Sequence, residues 1–338
     1  MIRLPAHDVD RLRPALEGAA CCVTGGAGFI GGHLVDALLT LGARVSIIDD
    51  LSNASAQHVS ELVQDEPERV RFVHGSILDQ AALDEALDGC AFVFHQAAVC
   101  SVPRSIENPE RTWRVNADGT LRVLRAAHAA GSRRVIFAAS SSAYGNAAEM
   151  PRHEGILPQP LSPYAASKLA GEALLVSFAE SYGLSTIGLR YFNIFGPRQR
   201  GGSPYSGVIP SFADRLNKGL APVIYGDGSQ SRDFTYVANA VLANLLAAAS
   251  DKALTGHVVN IGAGIGTTVL ELARRMARAW ERDDPEPEFA PARTGDVQHS
   301  MADISAAKAL LDYEPVTGFD EGLERTIEWL RSPASQRG

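Results

Sequence analysis

The 338-residue sequence predicts an α/β fold: a doubly wound parallel sheet with helices on both faces, followed by a smaller C-terminal α/β lobe. Three observations carry this. Short apolar runs of β character alternate with longer stretches of helical periodicity. Those runs are apolar on both faces, as strands covered by helices on each side must be. A glycine-rich turn joins the first run to the first helix.

The elements follow in order. Ala20–Thr24 is a short apolar run ending in glycines, and positions 28–41 have helical periodicity. Strand character returns at 44–49, 71–74 and 91–95. A long helix is expected over 115–130, a strand over 134–140, a helix over 164–182 and a strand over 186–191. After Phe192 the texture changes to Gly-, Pro- and Ser-rich segments, an alanine-rich helix over 237–249 and a strand over 257–261. Two more helices are expected beyond Gly262. The division is an N-terminal extension (1–18), a nucleotide-binding domain (19–191 plus about 234–262) and a substrate-binding lobe (192–233 plus about 263–338). A cleft between such lobes is a common ligand site.

Composition narrows the function. Hydrophobic residues make up 46% and charged residues 21%, which fits a folded globular chain and argues against disorder. The net charge is −8 with no basic run, the wrong sign for a nucleic-acid groove or an anionic-membrane anchor. No apolar stretch reaches the roughly 18 residues of a membrane span. The first 18 residues carry Asp8, Asp10 and Glu17 and have no apolar core, so no signal peptide is expected. Cys21, Cys22, Cys90 and Cys100 have no zinc spacing and are expected as buried, reduced thiols of a cytoplasmic protein. No metal site is expected.

Thr24-Gly25-Gly26-Ala27-Gly28-Phe29-Ile30-Gly31 stands between the first strand and the first helix. Glycines at 25, 28 and 31 allow a sharp turn and close approach of backbone N–H groups to a pyrophosphate, with the helix dipole behind them. Asp49 ends the second strand about two dozen positions on, where a carboxylate accepts ribose hydroxyls and repels a 2′-phosphate. No arginine follows it, so NAD is favoured over NADP, and the sheet is Rossmann-type. A glycine turn binding nothing is the competing reading.

Tyr164 and Lys168 are four apart at the start of a predicted helix and share its face. A neighbouring ammonium stabilises a phenolate and lowers the tyrosine pKa. The strand over 134–140 runs into Ser140-Ser141-Ser142 at its carboxyl end, where open α/β sheets bind ligands.

With these features in sequence, the chain resembles the extended short-chain dehydrogenase/reductases, from about Ala20 to about Leu330. The resemblance runs through Thr24–Gly31, His95-Gln96-Ala97-Ala98, Asn116-Ala117-Asp118-Gly119-Thr120, Ser140–Gly145, Tyr164–Lys168, Arg190-Tyr191-Phe192-Asn193, Gly226-Asp227-Gly228 and Arg232-Asp233-Phe234. Within that family it looks like a nucleotide-sugar 4-epimerase. Segments 101–106 and 295–300 look most like the UDP-N-acetylglucosamine 4-epimerase branch.

The resemblance implies Tyr164 as the base for the sugar O4 proton, Ser140 as its hydrogen-bonding partner and Lys168 as holder of the nicotinamide ribose. It implies an NAD site of Gly25, Gly28, Phe29, Ile30, Asp49, Asp50, Asn53, Ile77, Gln96, Ala97, Ala98, Tyr164, Lys168 and Tyr191. The Asp usual after Gly75 is replaced by Ser76, which becomes the candidate adenine contact. Asn193, Val208, Tyr225, Arg232, Arg293 and Asp296 would hold UDP, the arginines supplying cations for its diphosphate. Ser101, Ser141, Ser142, Gly207 and Ser300 would border the sugar. Arg198 and Gln199 are placed within reach of it, where they would serve a C6 carboxylate. Cys100 stands where the N-acetyl branch has glycine, and Gln96 where leucine is commoner. A homodimer pairing the helices over 115–130 and 164–182 is also implied.

The leading expectation is a UDP-hexose 4-epimerase accepting N-acetylated sugars, with the neutral hexoses UDP-glucose and UDP-galactose as further candidates. A UDP-glucuronate 4-epimerase on the same frame is the alternative. A decarboxylase would carry an acidic residue in the strand-end triplet, and a 4,6-dehydratase an Asp-Glu pair; the triplet here is all serine. A non-catalytic NAD-binding regulator would be expected to lack Tyr164 or Lys168.

Overall fold

A computed structural model describes residues 4–199, 207–280, 286–292 and 297–332. Its centre is a parallel sheet of seven strands: β1 (Ala20–Thr24), β2 (Arg44–Asp49), β3 (Val70–His74), β4 (Phe92–His95), β5 (Arg134–Ser140), β6 (Ser185–Tyr191) and an edge strand, Thr255–Ile261. The order is edge strand, β6, β5, β4, β1, β2, β3. The chain builds outward from β1 to β3, then returns to lay β4 on the other side of β1. That reversal opens a crevice beyond the carboxyl ends of β1 and β4. The register places Thr24 opposite His95 and Ser140 opposite Tyr191. Every residue of β4 and β5 is buried, as helices on both faces require. Cys21 and Cys22 fall into different core clusters, one on each face of the sheet.

The helices are α1 (Ala6–Leu16), α2 (Phe29–Thr40), α3 (Gln57–Asp65), α4 (Gln80–Leu87), α5 (Val102–Glu107), α6 (Pro109–Trp113), α7 (Gly119–Ala129), α8 (Pro163–Tyr182), α9 (Val208–Asn217), α10 (Val237–Ala249), α11 (Val269–Ala279), α12 (Ser305–Leu311) and α13 (Phe319–Arg331). Helix α2 starts directly after Gly28 and packs along α10. Ser162 caps α8 by accepting from Ala165 N at 3.1 Å, and Pro163 fills the first turn. A Cβ on Gly171 would lie 2.5 Å from the Phe137 ring, so glycine there lets α8 approach β5.

The segment set apart as an N-terminal extension contains α1, whose Leu12 and Leu16 are fully buried; Arg11 donates to Leu311 O and to Asp312. Two expectations are corrected. The long helix expected over 115–130 is interrupted by a π-helical turn, Arg114–Asp118, that carries buried Asn116 inward. Beyond Gly262 the described residues form three helices, because α12 is only seven residues long and too short to show a period.

Candidate active site

The crevice is a cleft of about 2090 Å³. Its floor at one end is the glycine turn. Gly25 has φ +70°, and a Cβ there would lie 2.7 Å from Ala97 N; a Cβ on Gly31 would collide with Gly25 O. The turn therefore tolerates no side chains where a diphosphate would lie, and α2 begins behind it. Asp49 accepts from Ala27 N at 3.0 Å and Leu51 N at 2.9 Å. Burial pushes its carboxyl upward, opposed by those two N–H groups. Two of its acceptor sites remain for ribose hydroxyls. Ser76 Oγ accepts from Leu78 N at 3.2 Å, and Ser76 and Ile77 line the cleft. All fifteen residues expected to hold NAD border this one cleft. A glycine cradle, a helix N-terminus and a strand-end carboxylate fit a dinucleotide.

Across the cleft, α8 brings Tyr164 and Lys168 to the end of β5. Ser142 N and Oγ both donate to Ser140 Oγ, at 3.2 and 2.9 Å. Both lone pairs of Ser140 are thereby used, so its own hydrogen is the one to give, and it hydrogen-bonds the Tyr164 phenol. The expected depression of Tyr164 by Lys168 is not found. Burial raises the phenol well above its ordinary value, the neighbouring Cys100 thiol adds to this, and only Ser140 pulls it down. The Lys168 ammonium instead donates to Ala138 O at 2.8 Å and lies 4.9 Å from the Phe137 ring centroid. Burial lowers it to about 8, against the opposing pull of Cys100 and Glu172.

The sugar side differs more from expectation. Ser101, Ser141, Asn193, Gln199, Gly207, Arg232 and Ser300 line the cleft. Val208 does not; it opens α9 and packs on the core. Tyr225 is also off the cleft lining, in the strand pair Val223–Tyr225 with Glu288–Ala290. Arg293 and Asp296 lie outside the described residues. Arg198 borders the cleft, but its guanidinium bonds Asp36 at 2.8 Å and His33, with φ +67° at its own backbone. His58 holds the other Asp36 oxygen at 2.9 Å. Burial and the Arg198 charge lower His33 to about 3, so it stays neutral. Cys100, expected to be buried, is exposed and lines the cleft beside Tyr164.

Sequence reasoning left several supporting groups without a role. Asn116 Oδ1 accepts from Val99 N at 2.8 Å, and its Nδ2 donates to Val99 O and Ser167 Oγ. It clamps the loop bearing Cys100 to the helix bearing Tyr164. A polar residue amid a helical apolar face was the available signal. Buried His95 links Thr24 to Thr120 at 2.7 and 3.0 Å. Burial first, then Lys168, lowers His95 to about 3. Arg104 Nη1 donates to Asn53 Oδ1 at 3.3 Å, joining α5 to the loop after β2. Among the described residues, no group of three His, Cys, Asp or Glu is placed to hold a metal ion, and no helix is long and apolar enough to cross a membrane.

The model of the NAD dependent epimerase/dehydratase family matches residues 21–262, and the chain belongs to that family. Among solved structures it is similar to the UDP-N-acetylglucosamine 4-epimerase of Methanobrevibacter ruminantium M1 in complex with UDP-N-acetylmuramic acid. That match has a TM-score of 0.86 at 40% identity over 93% of this chain and 98% of that one. It is 37% identical over 315 residues to the UDP-glucose 4-epimerase of Mycolicibacterium smegmatis, covering 92% of this chain and 98% of that protein. It is 33% identical over 321 residues to the UDP-N-acetyl-alpha-D-glucosaminuronate decarboxylase of Bacillus cytotoxicus, covering 92% and 97%. One frame thus serves several reactions at UDP-sugars, and the choice among them rests on the site.

Proposed function

We propose that the protein is an NAD-dependent 4-epimerase of UDP-hexoses that takes the N-acetylated pair, UDP-N-acetylglucosamine and UDP-N-acetylgalactosamine. The observation that carries the reaction is the meeting of Ser140, Tyr164 and Lys168 in the cleft whose far end is the glycine turn. NAD⁺, when bound in this cleft, would supply a reversible hydride acceptor for sugar C4. Tyr164 takes the O4 proton and returns it after the keto sugar has turned over about its diphosphate link. With the sugar in place, Ser140 would turn to O4 the one hydrogen that it otherwise gives to the Tyr164 phenol. Lys168 holds the nicotinamide ribose with its buried ammonium. Arg232 binds the diphosphate, joined by Arg293.

Two features favour a neutral sugar. Arg198, the cation best placed by sequence for a C6 carboxylate, is engaged by Asp36. The strand-end triplet is three serines, with no carboxylate for a decarboxylase. Small residues at Gly207 and Ser300 leave room for an acetamido group. A dimer is supported by apolar side chains exposed on α7 and α8, namely Leu121, Val176 and Tyr182.

The test is kcat/KM for UDP-N-acetylglucosamine, UDP-glucose and UDP-glucuronate with the same preparation. The acetamido sugar is expected to be fastest. UDP-glucuronate fastest would overturn the sugar assignment, and no 4-epimer from any of them would overturn the reaction.

A further inference from the structure

Helix α10 is built almost wholly from Val, Ala and Leu, and two asparagines interrupt it. Asn239 has a structural task, bonding the backbone of Val316 and Thr317. Asn244 faces the other way, toward the strand ends, and is fully buried. Its Nδ2 donates to Tyr191 Oη at 2.7 Å and to Ala240 O at 2.7 Å. Its Oδ1 accepts from Gln96 Nε2 at 3.1 Å. Tyr191 Oη donates to Gln96 Oε1 at 3.3 Å and closes a ring of three side chains.

The ring fixes every orientation in it. Both N–H groups of Asn244 are engaged. The Tyr191 hydroxyl gives one hydrogen bond and receives one. Gln96 keeps one N–H and one acceptor lone pair beyond its two ring bonds. Buried polar groups cost free energy unless paired, and apolar side chains of similar volume would fill this space at no such cost. A polar ring here is therefore explained by what it orients. Gln96 and Tyr191 border the cleft, while Asn244 stands behind them. Gln96 adjoins Ala97, whose backbone N touches the glycine turn. Burial pushes the Tyr191 phenol up to about 12, so it borders the cleft as a neutral hydroxyl.

We propose that Asn244 is a positioning residue for the dinucleotide. It holds the Gln96 amide with its remaining N–H toward the bound cofactor, and it holds Tyr191 against the same ligand. This rests on the reading of the cleft as an NAD site.

The measurement is the rate at which NAD bound to the full-length holoenzyme exchanges with labelled NAD⁺, for wild type and Asn244→Leu. Binding of UDP by the same preparations reports whether the substrate lobe is intact. Exchange in the variant should be about tenfold faster, since Gln96 Nε2 loses its acceptor and Tyr191 Oη its donor, while UDP affinity stays within about twofold. Exchange within about threefold of wild type overturns the proposal, whatever the change in Tm. If Asn244→Leu does not fold, Asn244→Ala decides by the same measurement. Faster exchange with UDP affinity kept supports positioning; exchange within about threefold of wild type means that the ring is packing alone. A wild-type chain that retains no NAD would overturn the cofactor reading itself, a result distinct from equal retention by wild type and variant.

Discussion

The two halves of the cleft are built differently. The cofactor half is made of strand ends and helix starts: the glycine turn after β1, Asp49 at the end of β2, Gln96 after β4, and Tyr164 and Lys168 on the first turns of α8. Backbone hydrogen bonds of the sheet fix these positions, so a residue's place in the sequence nearly determines its place in space. The sugar half is made of loops and short strands after Phe192. There the backbone leaves side chains a choice, and Arg198 turns to Asp36 and His33 instead of the sugar. Chemistry placed on the rigid half transfers with the frame, and specificity placed on the other half does not.

The largest effect should come from the rigid half. Tyr164→Phe should lower kcat by about 10²–10⁴-fold, the usual worth of a positioned proton-transfer group, with UDP-sugar affinity changed little. Turnover near wild type would break the assignment of the base. Asp49→Ala comes next. It should narrow the preference for NAD over NADP by on the order of tenfold, about one close charge repulsion. It should also weaken NAD, because Ala27 N and Leu51 N lose their acceptor. Undiminished rejection of NADP in binding measurements would remove Asp49 from the argument.

Lys168 gives a pH dependence. Its folded value is lowered to about 8, so the ammonium is present below that pH and lost above it. NAD affinity should therefore fall as pH rises through about 8, and this fall should vanish in Lys168→Met. A profile identical in both would show that the ammonium does not hold the ribose. The smallest effect belongs to the loop side. Asp36→Asn leaves Arg198 and His58 without their carboxylate, and should cost about 1–3 kcal/mol in Tm-based stability. It should raise KM for the UDP-sugar more than it lowers kcat, since the loop bearing Gln199 loses its tether. An unchanged KM would mean that the tether does not place that loop.

The sheet was legible because parallel strands buried on both faces are continuous apolar runs, and the turn because glycine spacing is a backbone requirement. The π-turn at Arg114–Asp118 was not, since a one-residue widening leaves helical periodicity almost intact. Nor was the role of α1, because an amphipathic segment does not say what covers its apolar side; here Leu12 and Leu16 bury themselves in the core. Tyr164 and Lys168 were legible as neighbours on one helix, but their mutual electrostatics were not. Spacing gave a shared helix face, while the atom that Lys168 bonds, Ala138 O, belongs to a strand 30 residues earlier. Arg198 shows the same limit at longer range, its partner Asp36 lying 162 positions away.

The proposed reaction requires that one hydride leaves C4 and comes back without exchange. Wild-type enzyme incubated with UDP-N-acetylglucosamine deuterated at C4, with no added nucleotide, tests it directly. The expected product is UDP-N-acetylgalactosamine with the deuterium retained at C4, formed over many turnovers. Loss of the label to solvent, or turnover that stops unless NAD is supplied stoichiometrically, would contradict it.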